Sequence, residues 1–175
     1  MSFLDKNQEK NILDEIVISK FSVFPLLIEI IEKNPKISQN RLRIKSRLSA
    51  GRIYLSIRAL KSMKLIENGN GLTLTELGKK VLDPFDRRLN KEVIGEACLN
   101  VPLFNKIHSS NPELKEPNKL FQLFKEELCP RYDQLDLRHV GSAVRRYLEG
   151  IHDIRLRAGA KTGSTLIQNQ LKLPK

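Results

Sequence analysis

The chain has 175 residues, enough for one domain of ordinary size or two small ones. It carries 31 Lys and Arg against 20 Asp and Glu, a net charge of +11, and only 6% of its residues are aromatic, with no Trp. The scarcity of rings disfavours a stacking platform for single strands. No apolar run reaches the roughly 18 residues of a membrane span, and the N-terminus lacks the apolar core of a signal peptide. We therefore expect a cytoplasmic protein.

Most of the excess positive charge lies in one window of the sequence. Between Lys33 and Ile66 there is no Asp or Glu, and outside this window 21 basic residues stand against 20 acidic ones. The ten basic residues of the window are Lys33, Lys36, Arg41, Arg43, Lys45, Arg47, Arg52, Arg58, Lys61 and Lys64. Clustered cations displace counterions from phosphates, so the window predicts a polyanionic partner; an ordinary solvated surface is the alternative for each single residue.

Periodicity and composition predict four segments: 1–22, 23–84, 85–157 and 158–175. The first has one apolar helical stripe, and we expect a helix that packs on the next segment or serves as a dimer arm. The last is rich in Gly, Thr, Ser and Gln without periodicity, and we expect a loose tail. The central boundary falls at Asp83-Pro84-Phe85-Asp86.

Segment 23–84 begins with three predicted helices. The first covers Val23 to Glu32 and ends at Asn34-Pro35, because proline pushes the preceding residue out of the α region. The second and third begin after the N-caps Ser38 and Ser49, whose side chains accept hydrogen bonds from the first turn, and they end near Ile44 and Met63. The apolar face of the third helix consists of Ile53, Ile57 and Leu60.

A tight β-hairpin is predicted after the third helix. Two β-prone runs, Leu65-Ile66-Glu67 and Leu72-Thr73-Leu74, flank a doubled Asn-Gly. Asn and Gly tolerate the positive φ that tight hairpin turns require. Thr75 is the predicted N-cap of a following helix from Glu76 to Leu82.

The order of three helices and a hairpin, with two sequence phrases, carries a family resemblance. The phrases are Ile57-Arg58-Ala59-Leu60-Lys61-Ser62-Met63-Lys64-Leu65-Ile66 and the Leu-Thr-x-x-Gly pattern that ends Leu72-Thr73-Leu74-Thr75-Glu76-Leu77-Gly78. This stretch resembles winged helix-turn-helix transcription regulators, with Lys64 where that family usually has glycine. More distantly, the whole chain resembles uncharacterised archaeal and bacterial proteins that pair such a domain with a second helical, winged-helix-like half. The resemblance implies a mainly α fold with a small β-hairpin wing, and binding to double-stranded DNA.

The resemblance assigns DNA contacts to the second and third helices. The first turn of the third helix usually reaches bases, and Arg52 is the best candidate because its guanidinium can bond two acceptors on guanine. We expect outward or flanking positions for Arg52, Leu55, Ser56 and Arg58, and we expect Tyr54 to stack on the second helix or to bond a phosphate. The expected contacts are Arg41, Arg43, Lys45, Arg47, Ser49, Arg52, Tyr54, Ser56, Arg58 and Lys61, with the first four on phosphates. The wing tip has no cation and consists of Asn68, Gly69, Asn70 and Gly71.

Segment 85–157 is predicted to be helical and to supply dimerisation or a second contact. Its helices are expected at about Lys91–Leu99, Leu103–His108, Asn118–Leu128 and Leu137–Leu156. The last helix has an apolar stripe of Val140, Val144, Tyr147, Ile151 and Ile154. A candidate second basic site on the same helix consists of Arg138, Arg145 and Arg146.

Residue types that carry enzyme chemistry are sparse. His108, His139 and His152 are scattered, and Cys98 and Cys129 lack CxxC spacing. We expect no enzymatic activity, metal or cofactor, and we expect reduced thiols.

The function expected from these patterns is regulation of transcription by a homodimer that binds double-stranded DNA at the nucleoid, without membrane contact. Two alternatives stay open. One is a winged-helix protein-interaction module in a larger assembly, and the other is binding to RNA or single-stranded DNA.

Overall fold

The computed structural model describes residues 21–128 and 138–152, which are mainly helical with one small antiparallel sheet. The elements are a 3-10 turn at Phe21–Val23, α1 (Phe24–Lys33), α2 (Gln39–Ser46), α3 (Ala50–Ser62), β1 (Ile66–Gly69), β2 (Gly71–Leu74), α4 (Glu76–Lys80), α5 (Lys91–Cys98), α6 (Pro102–Ser110), α7 (Pro117–Leu128) and α8 (Arg138–Ile151). The predicted N-terminal stripe and the predicted tail lie outside the described residues, as does Cys129.

The first three helices lie where local signals predict them. Ser38 Oγ accepts a hydrogen bond from the Arg41 backbone N–H at 3.3 Å, and Ser49 Oγ accepts one from the Arg52 N–H at 3.4 Å. These N-caps confirm both helix starts. α2 ends at Ser46, two residues later than predicted, and the next residue, Arg47, has a φ of 56° that turns the chain toward α3.

The predicted hairpin is confirmed, and its turn is tighter than expected. Glu67 pairs with Thr73 and Gly69 with Gly71, which leaves Asn70 as the tip. The Leu72 backbone N–H also donates to the Ile37 carbonyl at 2.9 Å, so the segment between α1 and α2 borders the hairpin.

The sequence phrase at the end of the hairpin has a clear structural reason. The Thr75 hydroxyl donates to the Lys64 carbonyl at 2.6 Å and accepts from the Gly78 N–H at 3.0 Å, so it caps α4 and closes the turn before β1. An ideal Cβ on Gly78 would lie 1.9 Å from the Leu65 carbonyl oxygen, which excludes any side chain there. α4 ends at Lys80, two residues before the predicted Leu82.

The second half is helical as predicted, and its closest packing joins α5 to α8. An ideal Cβ on Gly95 would lie 2.7 Å from the Gly150 Cα, so the two backbones touch. Val144 and Tyr147 of the predicted stripe are buried and Ile151 is half-buried. α8 ends at Ile151 rather than at Leu156, and the side chain of Val140 and all of Ile154 lie outside the described residues.

Both halves contribute to one continuous cluster of buried apolar side chains. Across the predicted boundary, the Asn100 side-chain amide donates to the Met63 carbonyl at 3.3 Å. The boundary segment itself is a compact loop, in which Asp83 accepts hydrogen bonds from the backbone N–H groups of Phe85 and Asp86. The division at residue 84 stays a prediction.

Gly95→Ala should destabilise the protein by about 1–3 kcal/mol, because the added methyl group must push α5 away from α8. Gly51→Ala is the matched control, since nothing lies within 4 Å of its ideal Cβ on the exposed start of α3. That control should gain about 0.4–1 kcal/mol from the lower entropy of its unfolded chain. Urea denaturation measures both. Equal effects of the two substitutions would contradict the close packing.

Lys64→Gly should stabilise the protein by up to about 1 kcal/mol, because Lys64 has a φ of 54°, where an L-residue is strained and glycine is not. Lys61→Gly, within the last turn of α3, should instead cost about 1 kcal/mol. Thermal unfolding of both variants distinguishes relief of strain at the turn from a general effect of glycine.

Candidate nucleic-acid interface

The ten cations of the acid-free window, called the basic surface below, lie on the end of α1, on α2 and α3, and on the segments that join or follow them. Arg58 and Lys61 are half-buried, and the other eight are exposed. Apart from Arg58, none forms an ion pair with a carboxylate in residues 21–128 or 138–152. Their charge is therefore available to an external anion.

The cations of α2 are exposed and flank its buried residues on both sides, because residues two positions apart in a helix point in different directions. Leu42 and Ser46 are buried, while the four predicted phosphate contacts are exposed: Arg41, Arg43, Lys45 and Arg47. The Arg43 guanidinium donates to the Asn40 side-chain oxygen at 3.2 Å, which restricts its rotamers. Ile44 lies among these cations with 64% of its surface exposed, a feature that the sequence analysis did not single out.

The first turn of α3 is open to solvent. Ser49, Gly51 and Arg52 are all exposed. Ser49 Oγ accepts the capping hydrogen bond described above, and its hydroxyl hydrogen is left to donate elsewhere. A ligand edge can thus approach this turn closely, with the Arg52 guanidinium beside it.

Tyr54 and Arg58 form a pair along α3. The Arg58 guanidinium carbon lies 5.8 Å from the centroid of the Tyr54 ring, within cation–π range, and 46% of Tyr54 is exposed. Both border a shallow groove between α2 and α3, which is lined by Gln39, Tyr54, Ile57, Arg58, Lys61 and Ser62. The Tyr54 ring therefore keeps the Arg58 guanidinium at this groove. Gln39 borders the groove on the α2 side.

The expectation that Ser56 has an outward or flanking position is wrong. Its exposure is 0%, because it lies three positions after Ile53 and next to Ile57 on the buried face of the helix. The apolar residues Ile53, Ile57 and Leu60 alone predict a buried stripe on α3 that is narrower than the one observed. Ser56 thus offers no hydroxyl to a ligand on this surface.

The hairpin tip lies beside the basic surface. Asn68, Gly69 and Asn70 are exposed, and Gly71 is half-buried with a φ of +126°. An ideal Cβ on Gly71 would lie 2.1 Å from the Lys36 carbonyl oxygen. The uncharged tip is therefore adjacent to an exposed cation far from it in sequence.

The candidate second basic site is paired internally. Arg145 and Arg146 donate to Glu149 at 2.8 and 3.2 Å, and only 7% of Glu149 is exposed. A buried carboxylate without its cations is costly, so these arginines stabilise α8 as well as offering charge. The side chain of Arg138 lies outside the described residues, and the second site stays a prediction.

Two acidic residues of α1 that precede the basic surface pair with one arginine of the boundary loop. Arg87 donates to Glu29 at 3.3 Å and also to Glu32. These hydrogen bonds raise the pKa of Arg87 above its ordinary value, first through Glu32. The repulsion that both carboxylates would exert on an anion is therefore weakened.

Two histidines that are distant in sequence meet at Tyr147. His108 Nδ1 lies 2.7 Å from the Tyr147 hydroxyl, and the His152 ring stands edge-on to Tyr147 with centroids 5.8 Å apart. Burial lowers the pKa of His152 and raises that of Tyr147 to about 12.

Burial also raises the pKa of the Cys98 thiol to about 12, which leaves almost no thiolate at neutral pH.

No group of three or more His, Cys, Asp or Glu side chains in residues 21–128 and 138–152 is arranged to hold a metal ion. The same part of the chain has no helix of the length and apolarity needed to cross a membrane. Comparisons of the chain with protein-family models, with curated proteins and with solved structures found no match.

Proposed function

We propose that residues 23–84 form a winged helix-turn-helix domain that binds double-stranded DNA, and that the protein regulates transcription. The observation that carries this proposal is the basic surface, whose ten cations come from a stretch of sequence without acidic residues and are spread over two adjoining helices and the segments that flank them. A protein surface that has no charged partner usually mixes positive and negative side chains. A surface with cations alone is suited to a partner with regularly spaced negative charges.

The order and contacts of the elements support the winged-helix interpretation. α2 and α3 are joined by the short segment Arg47–Ser49, and a hairpin follows α3 directly. Ile37 pairs with Leu72, so a short extended segment adjoins the hairpin. This order is typical of the winged helix-turn-helix family that the sequence resembles.

α2 and the turn after it are suited to phosphates. Arg41, Arg43, Lys45 and Arg47 are exposed on one helix and at its end, where each can approach a phosphate group. Every phosphate neutralised releases counterions and strengthens binding to any sequence. These four residues would therefore set affinity and orientation rather than sequence preference.

The open first turn of α3 is suited to base edges. Arg52 can donate two hydrogen bonds to the O6 and N7 atoms of guanine, and Ser49 can donate to either type of base pair. Gly51 between them has no side chain to hold the helix away from the groove. We infer that this turn provides the sequence preference, and that a homodimer supplies a second copy for a two-part site.

Salt-titrated binding to random duplex DNA tests the proposal. The logarithm of affinity should fall linearly with the logarithm of salt concentration, with a slope of about −0.9 for each phosphate neutralised. Fluorescence anisotropy with a labelled duplex measures this. Absence of binding at low salt, or binding that salt does not weaken, would overturn the proposal.

Two arginine variants distinguish sequence-specific contacts with bases from contacts with phosphates. After selection of a preferred duplex from a random pool, Arg52→Ala should cost about 1–3 kcal/mol on that duplex and much less on others. Arg43→Ala should weaken binding to all duplexes alike and reduce the salt slope by about 1. Lys119→Ala on α7 removes the same charge from an exposed site outside the basic surface and should change neither. Equal, sequence-blind losses from both arginine variants would show that Arg52 is not a reader.

The exposed side chains of Ile44 and Phe85 favour one other function, a protein-interaction module. Phe85 is 94% exposed, on a loop whose turn is fixed by Asp83. Ile44→Ser should leave DNA affinity nearly unchanged if DNA is the partner, since the substitution removes no charge. Competition with single-stranded DNA and RNA distinguishes the remaining alternative, because a duplex-specific surface should prefer the duplex.

A further inference from the structure

The hairpin tip carries an asparagine in an unusually reactive setting. Asn70 is exposed and is the single residue between β1 and β2. It is followed by Gly71, whose φ of +126° lies in a region that L side chains rarely adopt. Asparagine is among the chemically labile residues of proteins, and its lability is greatest where the next residue carries no side chain to shield the backbone nitrogen.

The glycine after Asn70 is required by packing. Its ideal Cβ position lies 2.1 Å from the Lys36 carbonyl oxygen and 2.5 Å from the Lys36 carbonyl carbon. Both neighbours are backbone atoms, which cannot rotate away. The hairpin can approach the Lys36–Ile37 segment only with glycine at position 71, so the same packing that closes the fold keeps after Asn70 the one residue type without a side chain.

We propose that Asn70 is a site of spontaneous deamidation, which converts the uncharged hairpin tip into an anionic one. The Gly71 backbone nitrogen, after loss of its proton to solvent base, attacks the side-chain carbonyl carbon of Asn70. A C–N bond forms, ammonia leaves with the side-chain nitrogen, and a five-membered succinimide results. Water then opens either carbonyl of the ring and gives aspartate or isoaspartate, each with one new carboxylate.

The second Asn-Gly pair of the hairpin should react more slowly. Asn68 lies within β1 opposite Leu72, whereas Asn70 lies between the two strands. The attack requires the backbone to leave its extended conformation, which costs more within a paired strand than at the tip. Asn70 is therefore the first site and Asn68 the second.

The consequence for binding rests on the proposed function. A carboxylate at position 70 is one residue from Gly71, which lies against the Lys36 backbone, so the new negative charge appears at this end of the basic surface. It would neutralise this end of the basic surface and repel phosphates. Isoaspartate also adds one methylene group to the main chain at the tip, which disturbs the contact between Gly71 and Lys36. The modification is thus an irreversible change that weakens DNA binding with age.

Peptide mass mapping of the full chain, aged under native conditions at roughly pH 8.5, tests the modification alone. The peptide that contains Asn70 should gain about 1 Da as ammonia is lost and water enters, before the gain at Asn68. Asn70→Gln should abolish the first gain, because the longer side chain forms the cyclic imide slowly, and Asn68→Gln should leave it unchanged. An intact Asn70 in the native protein, over a time in which the same chain deamidates there in urea, would overturn the proposal.

Duplex binding of fresh protein, aged protein, Asn70→Asp and Asn70→Gln tests the consequence. Asn70→Asp and aged protein should bind about two- to fivefold more weakly than Asn70→Gln at low salt, with a smaller difference at high salt. In a Lys36→Ala background the difference should shrink. If fresh protein binds no duplex, the proposed function fails while the mass measurement still decides the modification. Equal affinities of Asn70→Asp and Asn70→Gln would show that deamidation does not regulate binding.

Discussion

The backbone contact between the Lys36–Ile37 segment and the Gly71–Leu72 segment determines how the rest of the first half is arranged. The Leu72 N–H donates to the Ile37 carbonyl, and Gly71 lies against Lys36 without room for a side chain. This contact fixes the hairpin beside the start of α2. α3 contacts both α2 and β1, and its buried face meets the core while its first turn is open to solvent.

The two halves of the chain differ in how their cations pair with carboxylates, and not only in how many cations they have. In the second half, Arg145 and Arg146 share the buried carboxylate of Glu149. Near the boundary, Arg87 pairs with two glutamates of α1. Exposed ion pairs contribute little stability, yet they lower the field that an external anion experiences. The basic surface has the opposite arrangement, with nine cations that have no carboxylate partner in the described parts of the chain.

Local signals predicted the elements well because their causes are local. Ser38, Ser49 and Thr75 each accept a hydrogen bond from an N–H three residues ahead, so a few neighbouring residues determine each helix start. The burial of Ser56 does not follow from the apolar residues of α3 alone, although its helical position places it beside Ile53. The contacts of Lys36 with Gly71 and of His108 with Tyr147 span 35 and 39 positions, and no periodic pattern encodes such pairs.

Lys64 places a positive charge at a turn where glycine would be less strained. The turn after α3 requires positive φ, which glycine adopts without strain, yet the chain has a lysine there with a φ of 54°. Exposed Lys64 adds one more cation at the end of the acid-free window. Two other left-handed residues of the window, Lys36 and Arg47, are also cations at tight turns. In all three places the chain accepts local strain of about 1 kcal/mol where glycine would relieve it, and each of the three residues is an exposed cation.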